Sequence, residues 1–114
     1  MEALEDMAVG ELATVADFRA KAEGGDANAM VKLGFSYRDG LHGLKKDATQ
    51  RFMWFKRAAD LKDVDAITSC GIAYLHGKGV KVSHTRGLTM LGAAAALGSE
   101  HACGILGRTN AEGL

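Results

Sequence analysis

Proline is absent from the 114 residues. No helix is therefore cut by a pyrrolidine ring, and no loop is stiffened by one. Cysteine is nearly absent. Cys70 and Cys103 are the only two, too few and too far apart for a disulfide framework. Their scarcity makes a reducing intracellular compartment the default expectation, with a bridge between the two left open. Net charge is missing as well, since 14 Lys and Arg balance 14 Asp and Glu. That balance gives no basic surface for nucleic acid and no acidic tail. The longest apolar run, Gly92 to Leu97 with its flanks, is far too short to span a bilayer, so no membrane insertion is expected. The acidic start Met1-Glu2-Ala3-Leu4-Glu5-Asp6 has no basic region leading into an apolar stretch, and so does not read as a secretory signal.

Glycine, by contrast, is plentiful, with 15 residues, and its spacing is regular. Gly34, Gly71 and Gly107 lie 37 and 36 residues apart. Around them, Asp26-Ala27-Asn28-Ala29 aligns with Asp63-Val64-Asp65-Ala66 and with Ser99-Glu100-His101-Ala102. Tyr37 falls on Tyr74, and Gly40 falls on Gly77 and Gly113. A period of this length is the signature of a solenoid of small stacked units. Stacked units mainly build extended surfaces, which favours binding over catalysis.

Within each unit the pattern reads as two short helices. Asp26 caps a helix carrying Ala29, Leu33 and Tyr37, which Gly40 ends. After a turn, Asp47 caps a second helix, with Gln50 in capping-box position. Phe52, Phe55, Ala58 and Ala59 form its apolar stripe. Asp63 and Ser83 open the same pair again, with Ala66, Cys70 and Tyr74 on one helix and Leu88, Leu91, Ala94 and Ala95 on the other. We call the helix before each turn A and the one after it B. One extra residue near His42 accounts for the change from 37 to 36. The division expected is a half repeat at 11–25, repeats at 26–62 and 63–98, and a partial repeat at 99–114. Val15, Phe18 and Ala22 give the first half repeat its B-type stripe. The fold class expected is all-α, a right-handed α-solenoid of antiparallel helix pairs forming one domain over 1–114.

A mid-helix glycine costs about 1 kcal/mol relative to alanine. Three of them in register call for a compensating gain, and close approach of a neighbouring helix backbone is the expected one. The B helix of the second unit, with Gly87 and Gly92 and no aromatic residue to match Trp54 and Phe55, should pack more thinly. The last A helix, with Gly104 and with Asn110 in the tyrosine position, should be weak.

The run Gly25-Asp26-Ala27-Asn28-Ala29, Leu33-Gly34, Tyr37, Gly40 and Gly43-Leu44, together with Trp54-Phe55-Lys56-Arg57-Ala58-Ala59, resembles the Sel-one-like repeat family. The second copy repeats this with Ala66, Gly71, Tyr74, Gly77-Lys78-Gly79-Val80, Leu91 and Ala94-Ala95. The resemblance covers residues 11 to 114. It departs from the family in lacking the usual turn proline. The resemblance implies stacked helix pairs that act as adaptors holding other proteins in complexes, with no shared catalytic residue. Some members carry paired cysteines within repeats and are associated with β-lactam hydrolysis. This chain lacks that cysteine pattern and has no Ser-x-x-Lys motif.

Other chemistry finds little support in the residues. Gly71 to Lys78 has five residues between Gly71 and Gly77-Lys78, where a phosphate loop needs four and a strand before it. His101 and Cys103 are close in sequence but lack the further ligands zinc requires. The simpler reading of both cysteines is as small buried hydrophobes. Lys45-Lys46 and Lys56-Arg57 read as solvated charges, and Trp54 as a packing residue. No cofactor, metal or enzyme activity is expected.

The function expected is a protein-interaction scaffold that presents a concave A-helix surface to a partner protein or peptide. The alternative is a small structural subunit packed permanently in a larger assembly. The A-helix positions outside the core stripe are Asn28, Val31, Lys32, Phe35 and Ser36, then Asp65, Thr68, Ser69 and Ile72 one repeat later. Ile105 and Leu106 mark the last A helix, which has no B helix after it. An uncapped solenoid end exposes apolar groups, so self-association is expected there.

Overall fold

The structure, a computed structural model, describes residues 14–111, with side chains to Arg108. The segments 1–13 and 112–114, including Gly113, and the Asn110 side chain lie outside the described residues. Six helices run through the described part, with no strand among them. They are α1, described over 14–23, then α2 (Ala27–Asp39), α3 (Ala48–Asp60), α4 (Val64–His76), α5 (His84–Ala96) and α6 (Glu100–Ala111). The A helices are α2, α4 and α6, and the B helices are α1, α3 and α5. Each of α2 to α5 packs on the next helix in the chain, and α5 packs on α6. The result is an all-α helical repeat.

The helix starts follow from side-chain capping. Asp26, Asp47, Asp63 and Ser83 each sit in extended backbone and accept a hydrogen bond from the amide three residues on. Such a cap is worth about 1 kcal/mol. The reciprocal half of the capping box at Gln50 is replaced by a longer-range bond. The Asp47 amide donates to the Tyr37 carbonyl at 3.0 Å, as the Ser83 amide does to Tyr74 at 2.9 Å. These two bonds tie the start of each B helix to the end of the A helix before it. The A helices end at Gly40 and Gly77, both left-handed, whose amides donate back to Ser36 and Ala73. B helices end two residues before a left-handed position of their own. Gly25 and Gly98 fill it at φ 99°, but Lys62 fills the equivalent place at φ 69°.

One apolar cluster runs along the helices, from Val15 and Ala22 on α1 through Leu33, Phe55, Ala58, Cys70, Leu91 and Ala94 to Ala102 on α6. Trp54 is in it too, 7% exposed, with the Arg57 guanidinium 4.6 Å from its ring. Cys70 has no exposed surface, and burial pushes its thiol up to about 12. It stays protonated and inert at neutral pH. Cys103 departs from the sequence expectation. It lies exposed on α6, and both cysteines are free thiols.

The three register glycines have three different surroundings. A Cβ at Gly71 would stand 2.8 Å from Leu91 Cγ and 3.1 Å from the Gly87 carbonyl oxygen, so here two helix backbones do meet. A Cβ at Gly34 would stand 2.6 Å from Phe55 Cε1, so this glycine makes room for a ring instead of a backbone. A Cβ at Gly107 would meet nothing within 4 Å. The expectation of one backbone crossing per glycine therefore holds only in the second helix pair. A further close approach joins successive units, because a Cβ at Gly79 would overlap the Ala48 carbonyl oxygen at the start of α3.

Candidate functional site

The outer positions of the A helices divide by what their own helix does with them. Asn28, Lys32 and Asp65 are exposed, while Val31, Phe35, Ser69 and Ile72 are half-buried. On α2, the Phe35 ring stands edge-on to Phe55, with centroids 5.3 Å apart, and the Arg38 guanidinium lies 4.6 Å from its centroid. Arg38 is held in turn by Asp39, at 2.8 Å. That hydrogen bond raises the Arg38 pKa and lowers that of Asp39. Lys32 Nζ lies 5.5 Å from the Phe18 ring centroid on α1. Val31, Phe35 and Ile72 all pack against the core from its edge. The A-helix side thus offers half-exposed apolar positions with Asn28, Lys32 and Asp65 among them.

Two positions leave this set. Ser36 is 1% exposed and Thr68 is 3% exposed, so neither side chain reaches a partner. Their hydroxyls are satisfied locally. Ser36 Oγ donates to the Lys32 carbonyl and Thr68 Oγ1 to the Val64 carbonyl, each one turn back. With that proton committed, Ser36 Oγ accepts from His42 Nδ1 at 2.9 Å, which fixes the proton on Nδ1. His42 also meets Phe18 edge-on, at 5.5 Å. The inserted residue of the first turn is therefore tied to both α1 and α2. By the same logic Ser99 Oγ accepts from the Ala102 amide and donates to Thr68 Oγ1, both at 3.0 Å. Thr68 is thus the strut that holds the start of α6 against α4.

On α6, Ile105 and Leu106 are half-buried and packed against the core, while Cys103, Gly104 and Gly107 are exposed. The apolar groups at this end are more covered than the sequence suggests.

An open concavity of about 450 Å³ is lined from α3, α4 and α5. It joins Lys56 and Tyr74, read from the sequence as a solvated charge and a packing residue, with four residues of α5 that the sequence does not mark. Those four are Thr85, Arg86, Thr89 and Met90. Lys56 Nζ donates to Asp60 Oδ1 at 2.6 Å, and that bond raises its pKa. The signal in the sequence was the 37-residue offset itself, which sets Lys56 and Tyr74 on Arg19 and Tyr37. Among the described residues no three His, Cys, Asp or Glu side chains converge as a metal site would require. No helix among them is long and apolar enough to cross a membrane.

The family model of the Sel1 repeat matches residues 27–63 and 64–99. A curated relative, the ERAD-associated E3 ubiquitin-protein ligase component HRD3A of Arabidopsis thaliana, is 39% identical over 59 residues. That stretch is 52% of this chain and 9% of the relative, so this chain corresponds to only a small part of that protein. Among solved structures, a Sel1 repeat protein from Oxalobacter formigenes is 35% identical with a TM-score of 0.77. The likeness covers 80% of this chain and 68% of that one. The protective antigen c5321 of uropathogenic Escherichia coli, which has an SLR fold, is 33% identical with a TM-score of 0.81, covering 87% and 21%. Helicobacter pylori cysteine rich protein B is 30% identical with a TM-score of 0.74, covering 80% and 68%.

Proposed function

Since this chain belongs to the Sel1 repeat family, we propose that it is an interaction scaffold whose A-helix side holds a partner protein or peptide. Sel1 repeat proteins are generally protein-interaction scaffolds. The observation that carries the reading for this chain is the mixed surface of α2 and α4. Val31, Phe35 and Ile72 remain half-exposed at equivalent or adjacent repeat positions, beside exposed Asn28, Lys32 and Asp65 and half-buried Ser69. Apolar anchors with polar neighbours suit an extended or helical peptide laid across successive repeats. On this reading the protein is an adaptor and not an enzyme, and two free thiols suit a reducing intracellular compartment.

The test begins with a partner identified by affinity purification from the source cell. Asn28→Arg, Lys32→Glu and Asp65→Lys are then combined. All three sites are exposed, so the fold should survive, with Tm unchanged. Affinity should fall at least about tenfold, since like charges placed opposite one another suppress binding. Unchanged affinity would remove the A-helix side as the site.

One observation favours a second reading, that of a fixed subunit in an assembly. The curated relative is itself described as a ligase component. In that case α6, with Ile105 and Leu106 at the core edge and exposed Gly104 and Gly107 beside them, is the surface for docking or self-association. Sedimentation over a range of concentrations separates the two. A strictly monomeric species throughout rules out self-association.

A further inference from the structure

The concavity lined from α3, α4 and α5 holds an unusual tyrosine. Tyr74 is 7% exposed, and its ring stands edge-on to Phe52 with centroids 5.2 Å apart. Its hydroxyl finds no hydrogen-bond partner among the described residues. One repeat earlier, the Tyr37 hydroxyl accepts from Arg19 Nη2 at 2.6 Å. The residue in the place of Arg19 is Lys56, and it is turned away to Asp60. The contact that closes this place in the first half of the stack is thus open in the second. No buried side-chain polar atom among the described residues lacks a partner, so although the Tyr74 ring is buried its hydroxyl reaches solvent at the concavity. There it is free to bond water or a ligand acceptor.

The rest of the lining defines that acceptor. Arg86 lies with its guanidinium 5.9 Å from the Tyr74 ring centroid, and its side chain is exposed. Lys56 adds a second positive charge, which Asp60 offsets. One positive charge therefore remains uncompensated, and it matches a singly charged carboxylate better than a phosphate monoester carrying close to two charges. A guanidinium pairs with carboxylate through two parallel N–H bonds, and a phenol can add a third. Thr89 Oγ1 is already committed as a donor to the Thr85 carbonyl. Met90 supplies an apolar wall for an aliphatic stem.

We propose that this concavity binds a glutamate side chain of a protein partner, with Arg86 and the Tyr74 hydroxyl holding its carboxylate and Met90 covering its methylenes. The site is lined from α3, α4 and α5 but shares no residue with the proposed A-helix surface, so it stands or falls independently of that surface.

The test is a titration of the labelled protein followed by amide chemical shifts. The probe is a capped Ala-Ala-Glu-Ala-Ala peptide. Its glutamine counterpart is the neutral control, and inorganic phosphate is the competing anion. Saturable shifts should centre on Thr85, Arg86 and Thr89. The glutamine peptide should bind at least about fivefold more weakly, through loss of the charge-assisted bonds. Arg86→Gln and Tyr74→Phe should each weaken the glutamate peptide at least about threefold. The first site is exposed and the second change keeps the ring, so both variants should melt with the wild type. Equal binding of the two peptides, tighter binding of phosphate, shifts centred elsewhere, or no effect of Tyr74→Phe would each overturn the assignment.

Discussion

In the first helix pair, Gly34 on α2 faces the ring of Phe55 on α3. In the second, Gly71 on α4 faces Leu91 on α5, and Gly87 brings the α5 backbone against α4, where a Cβ would stand 2.9 Å from the Gly71 carbonyl. The pairs differ in sequence at both contact positions, since 36 residues separate Phe55 from Leu91 and Arg51 from Gly87. Removing the ring would leave a void if the helices stayed apart. Gly87 removes the spacer as well, so α5 closes onto α4 and dispersion contact is kept by backbone in place of aromatic surface. Accordingly α3 buries Trp54, Phe55, Ala58 and Ala59, whereas α5 buries Gly87, Leu91 and Ala94. One architecture is thus held by a side-chain plug in one unit and by close backbone contact in the next.

The largest test of that contrast is the register glycine itself. Gly71→Leu drives a side chain into Leu91 and the α5 backbone, and should cost about 3 kcal/mol or more in chemical unfolding. The corresponding change at Gly107 meets open space. Gly107→Ala should therefore stabilise, by about 0.5 kcal/mol, through helix propensity alone. If both changes destabilise equally, helix crossing is not the reason for these glycines.

A smaller effect separates the two tyrosines. Tyr37→Phe removes the acceptor of the Arg19 bond and should lower stability by about 1 kcal/mol. Tyr74→Phe breaks no bond among the described residues and should stay within about 0.5 kcal/mol of wild type. Equal losses in thermal melts would erase the difference between the units.

The smallest effect concerns the ends of the B helices. Lys62 holds a left-handed φ that Gly25 and Gly98 hold at the matching positions. Lys62→Gly should raise stability by a few tenths of a kcal/mol, the relief of the left-handed strain being partly offset by glycine's unfolded-state entropy. A loss would mean that the lysine side chain contributes more than its backbone costs.

The helices were legible because their punctuation is local. A capping Asp or Ser, an apolar period and a terminal glycine act within one turn. All three agree at α2, α4 and α5, and at α3, where Lys62 takes the glycine's place, the first two suffice. The surface was less legible. Ser36 and Thr68 look like exposed polar positions, yet each satisfies its hydroxyl on a carbonyl four residues back. A small polar group can be buried in this way without leaving a mark in the hydrophobic pattern. The concavity at Tyr74 was hidden for another reason. Arg19 has Glu23 four residues on, as Lys56 has Asp60, so the same local pairing is open to both cations. Lys56 takes it, whereas Arg19 reaches across to Tyr37. Which contact forms depends on tertiary geometry that spacing does not encode.

Each of α2, α3, α4 and α5 is 13 residues long. The single residue by which the two units differ is confined to the turn that contains His42. The rods of this assembly are thus of fixed length, and the joints take up the variation. A ruler built this way can gain or lose residues at its joints without shifting the graduations further along, because lengthening a loop changes its closure entropy only slightly. His42 shows what an extra residue at a joint can become, a brace between neighbouring rods.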